Sequence, residues 1–230
     1  MTRDLRIGIV DSGVTAGAAL PLEAGRRFLP GPDGGVETAE GLDDRLGHGT
    51  EVTRLIQAAA PTARLYHAQV FGLRFTTSPA LVAAGLDWLR SQGVHLINMS
   101  FGLRAERAVL RTACAAAAEQ GVLMIAAAPA QGAACFPAAY PEVLAVTGDA
   151  RCAPGEVSDL QGRQADFGTW CASPEQGGGV IAGASAATAH FTGLAAGFLL
   201  QHPEADAAAV RTEFRTAAIH AGPERRSEQA

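Results

Sequence analysis

Three separated residues in this 230-residue chain could together carry nucleophilic chemistry: Asp11 in IVDSGV, His48 in GHGTEV and Ser185 in GASAATAH. A hydroxyl is a weak nucleophile and needs an adjacent base. An imidazole can be that base near neutral pH. A carboxylate on its other ring nitrogen fixes the tautomer and stabilises the imidazolium. Glycines flank all three residues and permit tight turns and close backbone approach. Singly, each motif has an ordinary reading: a turn, a helix start, a helix of small residues. Their order along the chain and the elements they terminate give them joint weight.

Those elements alternate. Apolar strand-like runs cover 5–10, 63–71, 94–100, 122–128 and 143–148. Helix-like runs cover 48–60, 78–93, 105–121, 185–202 and 204–218, with Ser78 as an N-cap, Pro79 at the first position, and Gly93 and Gly121 past two ends. Near-continuous apolar strands separated by helices predict an α/β domain with a mostly parallel central sheet, flanked by helices on both faces. Sites in such sheets form at the carboxyl ends of the strands, which puts VDSG (10–13), NMSFG (98–102) and AAAPAQ (126–131) on one edge. One domain over 1–222 and a polar tail over 223–230 follow, since no internal repeat or linker divides the chain.

Composition narrows the classes further. With 48% apolar and 18% charged residues the chain is globular, and a net charge of −5 gives no electrostatic grip on nucleic acid or anionic lipid. All 18 basic residues are arginine. No apolar run is long enough to span a bilayer, and the N-terminus lacks a signal-peptide pattern. Cys114, Cys135, Cys152 and Cys171 form no metal-ligand spacing and are expected as free or buried thiols, with Cys135–Cys152 or Cys152–Cys171 left open as bridges. GIVDSGVTAG carries neither dinucleotide nor P-loop spacing, which sets aside a nucleotide-binding reading.

The three motifs, in the order Asp, His, Ser, resemble those of the subtilisin-like serine proteases over roughly residues 7–200. INMSFG (97–102) and FPAAYPEVLAV (136–146) resemble two further family segments. The resemblance implies a single-domain three-layer subtilisin-like fold and a triad of Asp11, His48 and Ser185. It also implies a peptide lying along Ser100, Phe101 and Gly102 as an added strand, and a pocket walled by Ala127, Ala128 and Pro129 for the residue before the cut. His67, His95, His190, Trp88 and Asp166 read as packing, edge or turn residues. Phe71, Phe101 and Trp170 are candidates to border the cleft.

Departures from the family pattern carry their own expectations. The loop after the AAA strand has Ala130 where an Asn usually donates to the oxyanion, with Gln131 as a candidate substitute and the Ser185 N–H as the remaining donor. Loss of that Asn in a family relative costs about 10²–10³ in turnover. IQAAAPTA runs through where a calcium loop is usual, so no metal and no cofactor are expected. Ala184 and Ala189 replace Thr and Pro of the Ser motif, and Glu51 replaces a common His. The chain starts at its first strand, without a propeptide, which points to a cytoplasmic enzyme that folds unaided. Together these features imply a narrow endopeptidase that removes a leader peptide from a specific precursor, as do short intracellular members acting on the small subunit of quinohemoprotein amine dehydrogenase. The alternative is a pseudoprotease that binds a peptide along the same strand without cutting it.

Overall fold

The computed structural model describes residues 4–162, 164–172 and 181–223. Beyond Pro223 the expected tail lies outside these residues, as do residues 173–180 before the Ser185 motif.

The first strand, β1 (Arg6–Asp11), is buried along its length and runs into the glycine-rich DSG turn. A hairpin follows, β2 (Leu22–Pro30) and β3 (Val36–Glu40), before α1 (His48–Ala59) and β4 (Arg64–Gln69). Then come α2 (Pro79–Ser91), β5 (Leu96–Met99), α3 (Ala108–Glu119), β6 (Leu123–Ala127) and β7 (Val143–Gly148). The chain closes with β8 (Val157–Asp159), β9 (Phe167–Thr169), α4 (Ala184–Gln201), α5 (Ala207–Thr216) and β10 (His220–Ala221).

These strands form one sheet in the order β10-β8-β9-β7-β6-β5-β1-β4-β2-β3. Its centre is parallel throughout, and only the β8–β9 and β2–β3 pairs are antiparallel. Each face of the sheet buries its own core. One contains Val10, Ile97, Met99 and Met124 under Leu86 and Leu89 of α2 and Leu110 of α3. The other contains Ile7, Ile9, Leu65 and Ile125 under Val52 and Ile56 of α1, Phe191 of α4 and Phe214 of α5. The three-layer α/β fold expected from the sequence is therefore present.

Local signals explain most boundaries. The Ser78 hydroxyl accepts the Leu81 N–H at 3.3 Å with Pro79 behind it, and Asp206 accepts the Ala209 N–H at 2.8 Å at the start of α5. The small residues of α4 answer to packing. A Cβ on Gly193 would stand 2.4 Å from the Ala59 Cβ, so α4 and α1 approach more closely than larger side chains allow. Trp88 is in the core, His190 Nε2 pairs with the Ala172 carbonyl at 2.9 Å, and all four cysteines are free, so neither bridge left open is formed. Asp166 does more than a turn residue would: it accepts the Ala145 N–H at 3.0 Å and pairs with Arg211, fastening α5 to the sheet.

Candidate active site

At the carboxyl end of β1, Asp11 is 1% exposed, and its Oδ1 lies 2.8 Å from Nδ1 of His48, the first residue of α1. The same oxygen accepts the Ser12 N–H at 2.7 Å. Close approach of α1 to the β1 turn makes this contact possible. A Cβ on Gly49 would meet the Gly13 carbonyl oxygen at 2.4 Å, and Gly47 enters the helix at φ 74.

Asp44, which sequence reasoning missed, holds this junction. Its Oδ1 accepts the Leu46 and Gly47 N–H groups at 3.0 and 2.8 Å and the Ser12 hydroxyl at 2.9 Å. Its Oδ2 accepts the Thr50 N–H and hydroxyl at 2.9 and 2.6 Å. Ser12 Oγ in turn accepts the Gly49 N–H at 2.8 Å, which satisfies a further orphan donor of the helix start. An Asp shortly before an apolar helical run is an N-terminus signal, and DDRLGHG carries it.

These carboxylates set the electrostatics of His48. Burial alone would lower its pKa, but the Asp11 hydrogen bond, with the charges of Asp11 and Asp44, outweighs burial and raises it above the ordinary 6.5. Phe75 packs edge-on against the imidazole, ring centroids 5.5 Å apart. His67 lies on the neighbouring strand with neither ring nitrogen bonded among the described residues, and burial pushes its pKa down to about 4. It is a core residue, as expected, but an unpartnered one.

Ser185 occupies the first turn of α4, where N–H groups have no intrahelical acceptor. It lines one cavity of about 530 Å³ with Asp11, His48, Phe71, Phe75 and Phe101. The expected series of contacts is half made. Asp11 touches His48, but the Ser185 hydroxyl donates to the Ser100 carbonyl at 2.9 Å. That carbonyl is a ready acceptor where β5 ends, and χ1 of a serine selects among staggered directions at small cost. In return, Ser100 Oγ donates to the Ser185 carbonyl at 3.2 Å, and Asn98 joins this pair to Thr192 of α4. Asn98 is fully buried and was not singled out from sequence; only its place in INMSFG hinted at it.

A second cavity, of about 670 Å³, opens on the other side of the Ser100–Gly102 segment. Ala127, Ala128 and Pro129 wall it, with Gln131 and Cys135 beyond. Ala130 is exposed and does not line it. Neither Phe101 nor Gly102 has a backbone hydrogen bond among the described residues. Beyond them Leu103 forms an antiparallel bridge with Phe136. A Cβ on Gly102 would meet Cys135 Sγ at 2.6 Å, so a side chain there would have to displace Cys135, which lines the same cavity. Trp170 borders neither cavity.

Burial pushes the thiols of Cys135 and Cys152 up and that of Cys114 up to about 12, so none of these is poised as a thiolate. Among the described residues no group of three or more His, Cys, Asp or Glu is arranged to hold a metal ion, and no helix is long and apolar enough to cross a membrane.

Comparison with known proteins finds relatives of this chain in both sequence and fold. The alkaline elastase YaB of Bacillus sp. (strain YaB) is 29% identical over 95% of this chain and 60% of its own length. Subtilisin Savinase of Lederbergia lenta is 27% identical over 95% of this chain and 84% of its own length. This chain thus spans about 60% of the first curated relatives. Among solved structures, the S41 psychrophilic protease superposes with a TM-score of 0.68 at 22% identity, covering 95% of this chain and 85% of that one. The protease domain of PatA, as an S218A mutant, gives 0.64 at 24% identity over 88% and 81%. The model of the Peptidase S8 subtilase family matches residues 2–229, and the chain belongs to that family.

Proposed function

We propose that the chain is a serine endopeptidase in which Ser185 attacks the scissile carbonyl, His48 takes its proton and Asp11 holds the imidazole. The observation that carries this reading is the 2.8 Å Asp11–His48 contact facing the cavity that Ser185 lines. With Asp11 on Nδ1, the Nε2 of His48 is left to act as base toward the nucleophile. Contacts between nucleophile and base are commonly long or misaligned until substrate binds, and rotation about χ1 carries the serine hydroxyl off the Ser100 carbonyl. The free backbone of Phe101 and Gly102 would take the substrate as an added strand. The small-walled cavity at Ala127–Pro129 would take the side chain before the cut. One oxyanion donor is then the Ser185 N–H. Ala130 offers none from its side chain.

The substrate we propose is narrow: the leader segment of one precursor, with the small subunit of quinohemoprotein amine dehydrogenase as the named candidate. A site in which Ala130 offers no side-chain oxyanion donor suits slow cleavage of one bound partner better than general digestion. Four free cysteines suit a reducing cytoplasm. Two observations favour a binding-only reading instead, Ala130 and the Ser185 hydroxyl bonded to Ser100.

A fluorophosphonate probe separates the two. Labelling of Ser185 and one discrete cut in a candidate precursor, both lost in Ser185→Ala, are expected. A cut that persists in Ser185→Ala overturns the mechanism, and a folded, unlabelled protein that still binds the precursor assigns it to binding alone.

A further inference from the structure

The proposed chemistry leaves open which side chains the cleft prefers, and the charges along its rim bear on that choice. Arg104 lines both cavities, the one containing His48 and Phe71 and the one walled by Ala127 and Pro129. It is exposed, and the Leu103–Phe136 bridge, with N–H···O distances of 2.7 and 2.8 Å, anchors the residue before it. Arg104 thus stands on a fixed stretch of backbone at the end of the free Phe101–Gly102 edge.

No carboxylate among the described residues pairs with it. The nearest acid in sequence, Glu106, is held by Arg111, and the Arg107 guanidinium turns to the Glu106 carbonyl at 2.8 Å. Arg74 lines an adjoining cavity that shares Thr76 and Thr77 with the first, and it too has no acidic partner among the described residues. Elsewhere arginines are typically paired, as Arg64 is with Glu23 and Asp4, and Arg151 with Asp149. A chain with a net charge of −5 therefore presents a locally positive rim over an aromatic wall of Phe71, Phe75 and Phe101.

We infer that Arg104 selects substrates carrying an Asp or Glu side chain a few residues before the cut. This rests on the protease reading, with the peptide lying along Ser100–Gly102 and the residue before the cut in the small-walled cavity. Moving from Ser100 to Arg104 then leads away from the nucleophile, toward earlier residues of the peptide. Side chains of an extended strand alternate between its faces, so the preference falls on one or two alternate positions rather than on all. A guanidinium reads a carboxylate through paired N–H donors, and an apolar wall at its side lowers the screening by water.

The test uses quenched fluorescent peptides of alanine and leucine with a single Glu, Gln or Arg placed two, three or four residues before the cut. At one of these positions wild type cleaves the Glu peptide about tenfold better than the Gln peptide in kcat/KM. The ratio shrinks with added salt, falls toward one in Arg104→Gln, and reverses in favour of the Arg peptide in Arg104→Glu. Equal cleavage of all three peptides at every position, or an unchanged ratio in Arg104→Glu, overturns the inference while leaving the protease reading in place. Where no peptide is cut, binding of the same set to Ser185→Ala, read by fluorescence anisotropy, decides it. Tighter binding of the Glu peptide that is lost in the Ser185→Ala, Arg104→Glu double variant supports the role of Arg104, and equal binding overturns it.

Discussion

Replacing His67 with leucine should flatten the acid side of the stability curve. The imidazole is fully buried on β4, and neither of its nitrogens has a partner among the described residues. Burial lowers its pKa to about 4, although the charges of Asp11 and Asp44 pull the other way. An unfolded chain protonates the same ring near 6.5. Below about 6.5 the unfolded state therefore binds a proton that the folded state refuses, and stability falls with pH until the folded ring also protonates near 4. At pH 8 the effect vanishes. At pH 5 it amounts to about 2 kcal/mol, and it approaches about 3 kcal/mol below pH 4. Urea unfolding of wild type and His67→Leu at pH 8 and pH 5, with an inactive Ser185→Ala background to prevent self-cleavage, isolates the term. Packing differences shift both pH values alike, whereas the linkage appears only in the difference between them. Wild type should lose about 2 kcal/mol more than His67→Leu over this interval. Equal losses would show that the ring is solvated or hydrogen-bonded, and the argument from its burial would fail.

Two further outcomes follow from the site. kcat/KM should rise with pH through a midpoint above 6.5, because the proposed base, His48, would act only when neutral and the Asp11 hydrogen bond with the nearby carboxylate charges raises its pKa above the ordinary value; a midpoint below 6.5 would remove that pairing from the working enzyme. Ala130→Asn should raise kcat by up to about 10²-fold with little change in KM, since a donor to the developing oxyanion acts mainly in the transition state. An unchanged kcat there, together with a large loss in Gln131→Ala, would assign the missing donor to Gln131.

The parallel core was legible because its strands are buried on both faces and read as unbroken apolar runs: Arg6–Asp11 and Leu123–Ala127 leave almost no polar alternation. The start of α2 was legible because Ser78 and Pro79 mark it, whereas α5, expected from 204, begins at Ala207 behind Asp206, a cap the reading did not single out. The β2–β3 hairpin was not, because it sits at the sheet edge, half or fully exposed apart from Phe28, and neither strand shows a buried period of two. The strands β8, β9 and β10, of three, three and two residues, are too short to register in any window. At the site, the three motif residues stood out because glycines flank them. Asp44, Asn98 and the Ser100–Ser185 pair did not, because what gives them meaning is contact across up to 94 positions of sequence.

In the proposed mechanism that last pair would tie specificity to catalysis. Ser185 donates to the carbonyl of Ser100, and Ser100 is also the first residue of the edge on which the proposed substrate would lie. A peptide N–H arriving at that carbonyl would compete with the hydroxyl for it, and a displaced hydroxyl would be free to turn toward His48, which lines the same cavity. The junction that carries the Asp11–His48 contact is braced by Asp44 and the closely approached glycines. Completion of the nucleophile half would then be left to the ligand. With Ala130 supplying no side-chain donor to the oxyanion, a short or poorly seated peptide would neither turn the serine nor gain from the site. Binding energy from remote positions, the aromatic wall and Arg104 among them, would have to be spent on organising the attack, which places selectivity in kcat as well as in KM.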